Sequence, residues 1–212
     1  MRSRTDRRAP QRSDTRRDAI LDSLEISLRE TTFDDINLAD LAKQAGVSRS
    51  AFYFYFENKA AAVAALMERM VDDTFFVNDV FTMVDRSPQA RIRIMLDGLF
   101  DTWERHRHLF RAMLEARGHS SAVREFWDEA RLSFVDSVAA MIRTERSAGK
   151  APDGIDAIVL ATVLLEINDR LLERLTFGGP LNRQQLADGA AAVWLGTVYG
   201  ITAGDDTERE RA

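Results

Sequence analysis

Residues Asn37 to Lys59 read NLADLAKQAGVSRSAFYFYFENK, and this stretch decides the fold. Asn37 is a good N-cap, with Asp40 three residues on, where a capping-box acid would stand. Leu38, Leu41 and Ala42 then fall inward on a short helix. Ala45-Gly46-Val47 ends it, because Gly46 readily takes the positive φ that a sharp helix-to-helix turn requires. Ser48 is a second N-cap, opening a helix to about Phe56. Helix, glycine turn and Ser-capped helix have the spacing of a helix-turn-helix, whose second helix lies in the major groove of duplex DNA. On a helix starting at Arg49, residues Arg49, Ser50 and Tyr53 share one face, while Ala51, Phe52 and Phe56 fall largely on the other. A guanidinium, a hydroxyl and a phenol are groups that meet guanine edges and phosphates. Lys59 follows in the first turn of the next helix, where its ammonium and the free backbone N–H groups form a natural phosphate clamp. A plain helical corner has the same pattern, so spacing alone leaves both readings open.

Outward from this stretch the chain keeps reading as helices. An amphipathic helix is expected from Arg16 to Glu30, and Phe33 and Ile36 anchor the connection that follows. Asn58 caps a long fourth helix reaching roughly Val84. Further helices are expected from Pro88 to His106, Leu109 to Arg117, Ser121 to Arg146, Ile155 to Phe177 and Asn182 to Tyr199. Gly118, Gly149 with Pro152, and Gly178-Gly179-Pro180 separate them. No strand-like alternation or internal repeat is present, so the fold class is all-α with about nine helices. Residues 1–13 read as a disordered arm, 14–60 as a three-helix helix-turn-helix domain, 61–200 as a helical ligand-binding and dimerisation domain, and 201–212 as a polar tail.

Composition narrows the function classes. The chain has 212 residues, 45% of them apolar, enough to bury a real core. It has no cysteine, which removes disulfides, thiolate metal sites and thiol nucleophiles. No apolar run is long enough to span a membrane, and no signal peptide is present, so a cytoplasmic protein with no membrane partner is expected. The net charge of −5 argues against nucleic acid until its distribution is considered. Residues 1–18 carry seven Arg against three Asp, whereas residues 61–212 carry 18 basic and 24 acidic groups. An acidic body behind a neutral-to-basic head can still bind phosphates. His106, His108 and His119 lack metal-ligand spacing, so no metal and no cofactor is expected. With no phosphate loop and no local nucleophile arrangement, no catalytic residue is assigned and the chain is not read as an enzyme.

Asn168 projects from an apolar helix face beside Leu164, Leu165, Leu171 and Leu172. A buried amide needs partners, so it is either a structural Asn or a ligand-orienting one. Trp103, Phe110, Met113, Trp127, Phe134, Met141 and Phe177 are candidates to line a pocket with it, or else ordinary core. Glu166, Asp169, Arg170 and Glu173 read as a charged helix face. The last two helices carry broad apolar surfaces joined by a short turn, a hairpin able to pair with its own copy about a two-fold axis. A two-fold dimer calls for a roughly palindromic operator.

The run LADLAKQAGVSRSAFYFYFENKAAAVAAL resembles the signature of TetR-family regulators, over roughly residues 18–67. The resemblance implies DNA contacts at Ser48, Arg49, Ser50, Tyr53, Tyr55 and Lys59, with Asn37 counted beside them, and buried positions at Phe52 and Phe56. It also implies a homodimer made largely by the two C-terminal helices, and release of double-stranded DNA when a ligand binds. Phe54 departs from the pattern, standing where a polar residue is commoner. The marks FYFYF, LAT-x-L with Asn and Arg following (Leu160 to Arg170), and W-x-x-x-x-YG (Trp194 to Gly200) resemble the ethionamide-resistance type within that family. That type implies a long apolar tunnel with Asn168 as polar contact and a small apolar or amphipathic ligand. Leu165 stands where a second Asn is expected, which implies a different or less polar ligand. The expectation is a ligand-responsive repressor. A DNA-binding protein without a switch and a helical carrier or enzyme are the alternatives.

Overall fold

The computed structural model describes residues 12–73 and 86–201, and these form nine helices with no strand. They are α1 (Arg12–Glu30), α2 (Leu38–Gln44), α3 (Arg49–Tyr55), α4 (Lys59–Asp73), α5 (Pro88–Arg105), α6 (Arg107–Arg117), α7 (Ser121–Ser147), α8 (Ala157–Phe177) and α9 (Arg183–Tyr199). The expected arm up to residue 11, the expected continuation of the fourth helix from 74 to 84 and the polar tail from 202 lie outside the described residues.

Local chemistry sets most helix ends. Ser87 accepts from the Ala90 N–H at 3.2 Å, with Pro88 in the first turn. Asp156 accepts from the Ile158 and Val159 N–H groups, so α8 begins two residues later than Ile155. Asn182 and Gln185 exchange side-chain-to-backbone bonds in a capping box at α9. For α7 the cap is Ser120 rather than Ser121: its Oγ accepts from the Val123 N–H at 3.4 Å. At the other end of the chain α1 starts at Arg12, upstream of the apolar stripe, because a helix nucleated on that stripe extends readily through Arg-rich sequence.

Packing divides the protein into two compact units, and each is discontinuous in sequence. One takes in the chain up to Met70 together with His108–Arg124; the other takes in Val71–Arg107 and Glu125 onward. The first unit is centred on Ile20, Leu21 and Leu24 of α1, all without exposed surface, with Leu41, Phe52, Leu66 and Met67. Each such side chain contributes roughly 1.5–3 kcal/mol of burial. Helix α6 belongs here with its buried Leu109, Phe110 and Met113. Glu115 on α6 accepts from the Phe33 N–H at 3.0 Å and from Arg111 at 2.8 Å. The contiguous head read as 14–60 is thus packed with a segment some eighty residues further along the chain.

The second unit has α9 lying along α5 and against α8. Its core includes Leu96, Phe100, Ile142, Leu164 and Trp194. Inside it Arg91 grips Glu145 in a fork of two bonds, 3.0 and 2.8 Å, and also donates to the Tyr199 hydroxyl at 3.3 Å. Burial pushes the Tyr199 phenol up to about 12, so it stays a donor, to Met141 Sδ at 3.7 Å.

Candidate nucleic-acid interface

The α2–α3 corner is closed by backbone bonds. The Ala45 N–H donates to Leu41 O, Gly46 to Lys43 O and Val47 to Ala42 O, all within 3.1 Å. Gly46 takes φ +67°, the left-handed conformation the turn demands. Asn37 and Ser48 cap the two helices, accepting from Ala39 N–H at 2.7 Å and Ala51 N–H at 3.1 Å. One side of α3 is then fixed inward: Phe52 is 1% exposed, and Phe56, also buried, lies 5.7 Å from it, ring centre to ring centre. Arg17 of α1 stands over the Phe56 ring at 5.4 Å.

The opposite side faces water. Ser48, Arg49, Ser50 and Tyr53 are brought together there, all exposed, as the sequence-based face expects. Phe54 joins them and is 80% exposed, the most exposed large apolar side chain among the described residues. The face read from helical spacing named only Arg49, Ser50 and Tyr53, and Phe54 stood out in the sequence only as a departure from the family pattern. The signal was available, since a helical turn of 3.6 residues sets position 54 within about 40° of position 50. Tyr55 is half-buried and meets the Phe54 ring edge-on at 5.0 Å.

Lys59 is oriented differently from the expected clamp. Its ammonium donates to the carbonyl oxygens of Phe33, Asp34 (3.3 Å) and Ile36 (3.0 Å), and lies 4.4 Å from the centre of the Phe33 ring. Burial lowers its pKa, opposed by the charges of Asp34 and Asp35. It ties the start of α4 to the α1–α2 connection. The free N–H groups at that helix start are partly used as well, with Asn58 Oδ1 accepting from Ala61 at 2.9 Å.

The ligand candidates are divided between the two units. Phe110 and Met113 are buried in the first. In the second, Trp103 is buried and donates its indole N–H to Thr176 at 2.9 Å. Met141 is buried, Trp127 and Phe134 are half-buried, and Phe177 is 55% exposed at the end of α8. Asn168 is buried with its Oδ1 accepting from Trp194 Nε1 at 3.2 Å, so its carbonyl has a partner within the fold. Of the acidic face, Asp169 is no solvated group. It pairs with Arg131 at 2.8 Å, and Glu166 bonds the same guanidinium. Burial pushes its carboxyl up to about 6 despite Arg131.

Residues 20–66 match the family described as bacterial regulatory proteins of the tetR family, and residues 92–200 match the C-terminal domain of the transcriptional regulator EthR. The chain is 35% identical over 191 residues to the HTH-type transcriptional regulator EthR of Mycolicibacterium smegmatis, covering 88% of each chain. It is 32% identical to the EthR of Mycobacterium tuberculosis, again over 88% of each. Among solved structures, a TetR transcription regulator from Haloarcula marismortui superposes with a TM-score of 0.67 at 23% identity, covering 86% of this chain and 97% of that one. The regulator FadR from Bacillus subtilis, in complex with stearoyl-CoA, gives 0.65 at 19% identity, covering 86% and 98%. No described helix is long and apolar enough to cross a membrane. With its N-terminal helix-turn-helix and its helical C-terminal part, the chain belongs to the TetR family of transcriptional regulators, of the EthR type.

Proposed function

We propose that the protein is a cytoplasmic, ligand-responsive repressor that binds a palindromic operator as a homodimer and is released by a small, mostly apolar effector. The observation that carries the DNA-binding part is the solvent-facing side of α3, where Ser48, Arg49, Ser50 and Tyr53 stand together. Tyr55 contributes from the edge of that face, and Asn37 sits at the start of the preceding helix. Lys59 enters this reading as a residue that positions the head, since its ammonium is taken up by three carbonyls.

Dimerisation is supported by apolar surface left open on the C-terminal helices. Ile158, Val159 and Val163 on α8 and Val193 on α9 are each 39 to 50% exposed. Contiguous exposed apolar surface is a mark of an interaction site. The effector is read as mostly apolar because the candidate lining residues of the second unit, Trp103, Trp127, Phe134, Met141 and Phe177, are themselves aromatic or aliphatic, with Asn168 the one amide among them. The structural neighbour FadR from Bacillus subtilis is in complex with stearoyl-CoA, a ligand with a long apolar acyl chain and a polar, charged head.

The test is titration of the full-length protein against duplexes recovered from a random pool, across a salt series. Tight binding that weakens steeply with salt is expected, and Arg49→Ala together with Tyr53→Ala should lower affinity by at least about tenfold. Weak binding, equal on all duplexes and indifferent to both substitutions, overturns the reading.

A further inference from the structure

Phe54 is an anomaly that the proposed face does not use. A phenyl ring that is 80% exposed on a water-soluble helix forfeits the burial that normally keeps phenylalanine inside. Its neighbours on the same strip of α3 are polar: Arg49, Ser50 and Tyr53. The half-buried Tyr55 holds it edge-on, at an interplanar angle of 89°, so the ring has a defined backing. Phe54 carries no donor or acceptor and can neither bond a phosphate nor read a hydrogen-bonding edge. The floor of the major groove offers one apolar group, the 5-methyl of thymine.

We propose that Phe54 is a specificity-determining residue that packs on a thymine 5-methyl group in each half-site. This rests on the DNA-binding reading above and goes beyond it by assigning a base and an atom. The contact is apolar, so it adds sequence preference without adding to the phosphate contacts that govern salt dependence. It also explains why a ring stands where a polar residue would be more soluble.

Duplexes are first enriched from a random pool with the wild-type protein. Thymines of the enriched site are then replaced by deoxyuridine, in symmetric pairs, which deletes the methyl and nothing else. At one pair the wild type should lose about fourfold per half-site, or about 15-fold for the two together. Phe54→Ala should bind both duplexes alike, with an unchanged melting temperature and an unchanged salt slope. Phe54→Leu, which keeps an apolar tip, should retain a preference for thymine. Equal wild-type affinity at every thymine-to-deoxyuridine pair overturns the proposal, as does an enriched half-site without thymine, or discrimination that persists in Phe54→Ala. In each of those cases DNA binding itself stands. Failure to enrich any duplex at low salt sinks both.

Discussion

A lysine in the first turn of a helix ordinarily leans into solvent, and Lys59 leans the other way. Three carbonyls of the α1–α2 connection, from Phe33, Asp34 and Ile36, converge on its ammonium, and the Phe33 N–H is held in turn by Glu115. Lys59→Met keeps the stem and removes the donor. Part-buried carbonyls left unpaired should cost about 1–2 kcal/mol, read as a lower melting temperature. The slope of operator affinity against salt should match the wild type, because no phosphate contact is lost. A shallower slope for the variant would return Lys59 to the phosphate. None of this was legible locally, since the partners lie 23 to 26 residues away. Ser48, Phe52 and Phe56 were legible because a cap and a helical period are written within one turn of chain. Phe54 was marked only as a departure from the family pattern, because an outward aromatic breaks the rule by which inward and outward faces are told apart.

Helices reveal their ends more readily than their partners. Gly178 and Gly200, both at positive φ, stop α8 and α9 where the sequence expects them to stop. The α7 cap shifted by one residue between adjacent serines, a choice left to tertiary packing, with Val123 fully buried. The meeting of α7 and α8 through Arg131 was invisible, because the pattern of Glu166, Asp169, Arg170 and Glu173 reads equally as a solvated face. It has a measurable signature. Asp169 sits near 6 in the folded protein against an ordinary 3.8, pushed up by burial and by Glu166 and pulled down by Arg131 and the Trp127 indole. The folded state therefore holds its proton more tightly than the unfolded chain, and stability from this group falls as pH rises from about 4 to about 6. Asp169→Asn fixes the neutral form. Relative to that variant, the wild type should lose stability across that window by at most about 3 kcal/mol, measured by urea unfolding at a series of pH values. Parallel curves would show that Asp169 is not held near 6.

At the scale of the molecule, the chain crosses between its two compact units at 70/71, 107/108 and 124/125, inside α4, at the first residue of α6 and inside α7. Any coupling between the proposed effector and the reading head must appear as a differential affinity, weaker DNA binding with effector bound and weaker effector binding with DNA bound. The same logic of two heads acting together bears on the dimer. Gly189 lies mid-helix on the exposed side of α9, and a Cβ built there meets nothing within 4 Å. A glycine in a helix interior costs about 1 kcal/mol relative to alanine, and the fold of one chain has no need of it. On the proposed interface it admits a close neighbour from a second copy. Gly189→Leu should thus leave the monomer as stable or more stable, yet shift sedimentation from dimer to monomer. With only one reading head per particle, affinity for the full operator should drop by about 10²–10⁴, the advantage of tethering two sites. Inserting about 5 base pairs, a half-turn, between half-sites should cripple the wild type and leave the variant's weak binding unchanged. A variant that stays dimeric moves the interface off this face of α9, and a monomer with undiminished operator affinity removes the two-headed reading altogether.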